Sequence, residues 1–167
     1  MIYTEQTKKA MRLCFRAHEG QLDRSGIPYV YHPLHLAEQM PDEDSTVAAL
    51  LHDVVEDTDY SLEDLREMDF PPRALEAVAL LTHDPAEPYL DYVARVKTNP
   101  LAKAVKLADL RHNSDLSRLD TVTERDLARV EKYAAAMRLL EEPPAQGAEA
   151  DAANQRSGPE PERGENP

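Results

Sequence analysis

The run Ala48–Thr58, AALLHDVVEDT, constrains this chain more than any other. Leu50, Leu51, Val54 and Val55 recur at helical spacing, yet His52, Asp53, Glu56 and Asp57 are set into the same apolar stretch. Ionisable groups on an otherwise buried helix are costly unless something offsets their charge, and a bound cation would do so. His52 and Glu56 share one helix face, and Asp53 and Asp57 another about 100° round. An adjacent His and Asp can still converge on one ion, because the imidazole reaches further than the short carboxylate. The plainer alternative is a solvated acidic face with one hydrogen-bonded histidine.

Composition narrows what such a helix can serve. The chain has 167 residues, which suits one domain with a sizeable core. Its net charge of -13 excludes a general nucleic-acid-binding surface. A phosphorylated small molecule would need a metal or local Arg and Lys side chains to offset that field. The single cysteine, Cys14, lies among Leu13, Phe15 and Ala17 and reads as a core thiol. No apolar run approaches the ~20 residues of a membrane span, and MIYTEQTKKA lacks the apolar core of a signal peptide. A soluble cytoplasmic protein is the expectation. The oligomeric state is not legible.

Taken in order, the chain reads as all-α, with six to eight helices and short loops. Thr4 is a candidate N-cap for a helix over Glu5–Glu19; Thr7 stands where a capping box would have Glu or Gln. Gly26 and Pro28 break the polar loop that follows, and His32 precedes Pro33 at a loop-to-helix junction. One helix is expected from the Asp42–Ser45 caps through to about Asp57, then SLEDLREMD, RALEAVALLT, YLDYVARVKT, LAKAVKLADLRHN and Glu124–Glu142. No alternating run of strand length occurs. From Pro143 the sequence turns to Pro, Gly, Ala and charge, so residues 1–142 are expected to form the domain and 143–167 a disordered tail.

A second informative stretch is VKLADLRHN, in which Asp109 lies four residues before Asn113 on one side of a helix. Alone, Asp109 reads first as a cap for a neighbouring helix or the partner of an Arg. With His32, His52 and Asp53 it completes a two-histidine, two-aspartate set, which suits a divalent ion such as Mn, Fe, Co or Zn. Four protein ligands would leave two octahedral positions for water and a phosphate oxygen. Glu56 and Asp57, a turn beyond the His-Asp pair, are placed to position the attacking water or shuttle its proton.

Three motifs, AHEGQLDRSGIPYVYHPLHLAE, ALLHDVVEDT and VKLADLRHN, together resemble the HD superfamily of metal-dependent phosphohydrolases. Within it, the chain is most similar to the hydrolase domain of RelA/SpoT proteins and the small metazoan SpoT homologue. The resemblance implies an all-α HD helical bundle and a Mn ion held by His32, His52, Asp53 and Asp109. It implies that Glu56 and Asp57 act at the catalytic water, and that Asn113 helps hold the nucleotide. The reaction it implies removes pyrophosphate from the 3′ position of (p)ppGpp. One departure stands out: the family has an Arg-Lys pair where this chain has Asp23 and Arg24. Arg24 keeps a cation near the phosphate end. Asp23 cannot stack on a purine as Arg does, but a carboxylate can accept hydrogen bonds from guanine's ring N–H and amine. Asp23 therefore leaves room for a different phosphorylated nucleotide, such as a nucleoside monophosphate, an adenine alarmone or NADPH. A non-catalytic nucleotide sensor is the reading of another class.

Overall fold

The computed structural model describes residues 1–143. The expected tail lies, but for Pro143, outside the described residues. Among them are nine α-helices and one 3-10 turn: α1 Glu5–Ala17, α2 Tyr31–Glu38, α3 Glu43–Leu51, α4 Val54–Asp57, α5 Leu62–Glu67, α6 Pro72–Leu81, α7 Tyr89–Lys97, α8 Pro100–Ser114, the 3-10 turn Leu116–Arg118, and α9 Glu124–Glu141. The described residues contain no strand, only an isolated bridge between Leu22 and Pro28.

Local chemistry explains the helix starts. Asp42, Ser61 and Thr123 each form a reciprocal cap with the third helical residue, and Pro72 and Pro100 occupy first helical positions where no N–H is needed. At α1 the sequence rule misses a real cap. The Thr7 hydroxyl accepts the Thr4 N–H at 2.8 Å while Thr4 Oγ1 accepts the Thr7 N–H at 3.1 Å. A short hydroxyl closes the box that the rule assigns to Glu or Gln. Helix α1 also ends earlier than expected, at Ala17, with His18 as C-cap; Gly20, at φ 77°, turns the chain after it.

The element that organises the core is α3. Every residue from Ser45 to Leu51 is buried, and α3 packs against α1, α2, α6 and α8. A helix apolar on all sides belongs at the centre of a bundle. Burying Val47, Leu50 and Leu51 stabilises the fold by about 1.5–3 kcal/mol each. The single helix expected through Asp57 is instead broken. His52 and Asp53 form a turn, with Asp53 at φ -100°, ψ -4°, before the four-residue α4. That break explains why nine helices stand where eight segments were legible. It also turns the Asp53 carboxylate toward the imidazoles.

Candidate metal centre and adjoining cleft

Three elements bring the predicted ligands together. His32 is the second residue of α2, His52 caps the C-terminus of α3, and Asp109 sits late in α8. All three are buried, at 5%, 3% and 5% exposure. Each offers a ligand atom, and the three atoms lie within 4.8 Å of one another. The His32 Nε2 is 3.2 Å from Asp109 Oδ1 and 3.8 Å from Asp53 Oδ2. The His52 Nε2 is 2.8 Å from Asp53 Oδ2. Asp53 thus meets both imidazoles while falling outside the close triad.

Despite these short separations, neither Nε2 makes an aligned hydrogen bond, and both are buried. Nitrogen and carboxylate oxygens that crowd one another without bonding are aimed at a common point between them. For His52 the reason is explicit. Its Nδ1 lies 2.8 Å from the Ala49 carbonyl, which can only accept, so Nδ1 carries a proton and Nε2 is the nitrogen left for an ion, which would displace the second proton that the Asp53 charge favours there. Two imidazole lone pairs with carboxylates suit a divalent ion.

The carboxylates are held as firmly as the imidazoles. Lys106 Nζ donates to Asp109 Oδ2 at 2.8 Å, and Asn113 Nδ2 donates to Asp109 Oδ1 at 2.5 Å. Burial would raise the Asp109 pKa, but Lys106 and the two histidines hold it well below the carboxylate range. The same contact lifts Lys106 above its ordinary value although burial opposes it. The Tyr29 hydroxyl donates to Asp53 Oδ2, and burial with the Asp53 charge keeps that phenol protonated. Asp53 in turn is lowered: burial raises it, and His52 and His32 outweigh burial.

Glu56 and Asp57 are exposed at the end of α4. Burial, then the charges of Asp53 and Glu56, push the Asp57 carboxyl upward. Glu56 Oε2 accepts the His83 backbone N–H at 3.0 Å, which ties it to the loop after α6.

Beside the cluster opens a cleft of about 480 Å³. Its walls include His32, Asn113, Tyr29, Tyr133 and three arginines: Arg24, Arg118 and Arg129. The volume falls within the range of small-molecule sites. Arg24 Nη1 pairs with Asp126, which Arg129 also approaches at 3.7 Å. Asp23 does not offer the free carboxylate that sequence reasoning gave it. Its Oδ1 accepts the N–H groups of Ser25 at 2.8 Å and Ile27 at 3.0 Å, and its Oδ2 takes Arg118 at 3.0 Å. Arg111 pairs with Glu141 at the surface, away from the cluster.

The chain is similar to known proteins. The sequence profile of the HD domain matches residues 10–87. Over that span the chain carries an HD domain. A GTP pyrophosphokinase of Streptomyces coelicolor is 38% identical over 121 residues, 65% of this chain and 14% of that protein. A guanosine-3′,5′-bis(diphosphate) 3′-pyrophosphohydrolase of Aquifex aeolicus is 31% identical over 123 residues, 66% of this chain and 18% of that protein. The chain therefore spans less than a fifth of these relatives. Among solved structures, a metazoan orthologue of SpoT, described as hydrolysing ppGpp, superposes with a TM-score of 0.68. The two are 26% identical, and the match covers 84% of this chain and 88% of that one. Among the described residues no helix is long and apolar enough to cross a membrane.

Proposed function

We propose that this HD domain is a Mn-dependent phosphohydrolase that releases pyrophosphate from the 3′ position of (p)ppGpp. The observation that carries the reading is the convergence of two buried, unbonded imidazole Nε2 atoms and the Asp109 carboxylate beside an arginine-lined cleft. His32, His52, Asp53 and Asp109 would hold the ion, which when bound acidifies water and polarises a phosphoryl group. Tyr29 and Asn113 hold the two carboxylates in place by donating hydrogen bonds to them. Asp57, its carboxyl pKa raised by burial and the neighbouring acids, is suited to take a proton from the attacking water, and Glu56 to position that water. Arg24 and Asn113 line the cleft and would bind the nucleotide. The pyrophosphohydrolase relatives and the SpoT orthologue support this choice of substrate.

A second reading, hydrolysis of another phosphorylated nucleotide, draws support from Asp23. With its carboxylate engaged by Arg118 and two backbone N–H groups, it keeps about one of its four lone pairs with which to read guanine. A panel of nucleotides incubated with the protein and Mn, with pyrophosphate and phosphate measured separately, distinguishes the two. Pyrophosphate from ppGpp, abolished by chelation, is the expected result. Turnover of a different nucleotide with none from ppGpp at any concentration would establish the second reading.

A further inference from the structure

His32 and His52 must both present a bare Nε2 to bind a metal, and they are steered by different partners. The Ala49 carbonyl settles the question for His52. His32 has no such carbonyl. Its Nδ1 lies 2.6 Å from Nδ1 of His112, so one proton must sit between two nitrogens, each able to donate or accept. The two rings lie within 13° of coplanar with centroids 4.9 Å apart. That spacing exceeds the N–N distance only by the two ring radii, so the rings meet edge to edge. This is the alignment a ring N–H···N bond requires.

The direction of that bond is set by a third group. Arg118 Nη1 lies 3.3 Å from the same His112 Nδ1 and 3.0 Å from the His112 carbonyl. A guanidinium can only donate, so a proton on His112 Nδ1 would face another N–H. Arg118 is itself anchored: Asp23 Oδ2 accepts its Nη2 at 3.0 Å, and Ser25 Oγ donates to its carbonyl at 2.5 Å. His35 stacks on His112 at 4.4 Å between centroids and keeps its ring in place. The pull in the other direction comes from Asp109 and Asp53, which flank His32 Nε2 and would draw a proton onto it.

We propose that His112 is a positioning residue: it accepts the Nδ1–H of His32 and so leaves Nε2 bare for the metal, with Arg118 fixing the polarity of the bond. The proposal rests on reading the His-Asp cluster as a metal site. Partners of this kind commonly change metal affinity about 10- to 100-fold when removed.

The test uses the full chain stripped of metal and two variants, His112→Phe, which keeps a flat ring but accepts nothing, and His112→Gln, whose amide oxygen can accept. Nitrogen-15 NMR at mildly alkaline pH should find His32 protonated at Nδ1 in the wild type and at Nε2 in His112→Phe. Calorimetric Mn affinity should fall about 10- to 100-fold in His112→Phe and recover most of that loss in His112→Gln. An Nε2–H form of His32 in the wild type, or unchanged Mn affinity in His112→Phe, overturns the proposal. If His112→Phe does not fold, Arg118→Leu replaces it: both readouts must move the same way, and no movement is a refutation. A wild type that binds no Mn overturns the metal reading, and this proposal with it. Metal bound normally with His32 in the Nε2–H form overturns this proposal alone.

Discussion

Replacing Lys106 by Met tests how the acidic cluster is balanced. The Lys106 ammonium sits 2.8 Å from Asp109 Oδ2, with both side chains mostly buried, and lies 5.3 Å over the Tyr92 ring. Methionine keeps much of the stem's volume and removes the charge. Breaking a buried ion pair from one side costs about 3–5 kcal/mol, because the remaining charge is stranded. Asp109 keeps the Asn113 amide at 2.5 Å and His32 beside it, so the lower figure, about 3 kcal/mol, applies. At about 3 °C per kcal/mol for a domain of this size, the melting temperature should drop by about 9 °C in chelator. The Lys106 pKa is raised on folding, so its contribution is fully present below the unfolded value of about 10.4 and is lost as pH rises through the folded one. Melts at pH 7.5 therefore sample all of it. Saturating Mn supplies the stranded carboxylate with a new positive partner, and the deficit should shrink to below about 1 kcal/mol. Calorimetric melts of both proteins, with chelator and with Mn, measure the difference. An equal deficit in both conditions would mean that Asp109 does not face the ion.

Two further outcomes separate chemistry from folding. Asp57→Asn should keep its Mn and lose turnover by at least about 10²-fold, with Glu56→Gln behaving alike; loss of metal in either variant would make that residue a ligand. The Asp57 pKa is raised in the folded chain, so its ionisation costs stability that is lost as pH rises through the folded value. Asp57→Asn should accordingly melt no lower than wild type at neutral pH, and a clear drop would show that the charge is supported. Burial, then Asp53, pushes the Cys14 thiol up to about 12. Only about 10⁻⁴ of it is then thiolate at pH 8, so an aromatic disulfide reagent should label the native protein no faster than it unfolds.

The helices were legible because their signals are local. Apolar spacing, prolines at first helical positions and Asp or Ser caps each act within one turn, and α6 and α8 begin where those residues say. The break at His52 and Asp53 was not, since apolar spacing continues through Val54 and Val55 as if the helix did. The metal cluster could be assembled from three motifs because each carries an ionisable residue out of keeping with its apolar neighbours. Lys106 could have been found as well: it stands three residues before Asp109 on the same helix face. Arg118 could not. Its partner Asp23 is 95 residues away, and no periodicity links a 3-10 turn to a loop near the other end of the chain. Nor could the role of His112, because nothing in LRHN reveals that its ring meets His32.

The cleft's three arginines are equalled in number by three acids in its own walls, Asp23, Asp115 and Asp126; Asp126 takes both Arg24 and Arg129, and Asp23 takes Arg118. An entering phosphate therefore finds no excess of positive charge, and outside the cleft it meets a chain of net charge -13. Capture of the proposed substrate would be an exchange of partners, in which a phosphate displaces an aspartate from a guanidinium. Long-range attraction contributes little to such an encounter, and the protein's own field works against it. Added salt, which slows binding where opposite charges steer a ligand, here screens a repulsion over distances beyond about 10 Å at 0.1 M. Modest ionic strength should thus speed the approach of an anionic nucleotide, and discrimination falls to the short-range geometry of the guanidinium forks.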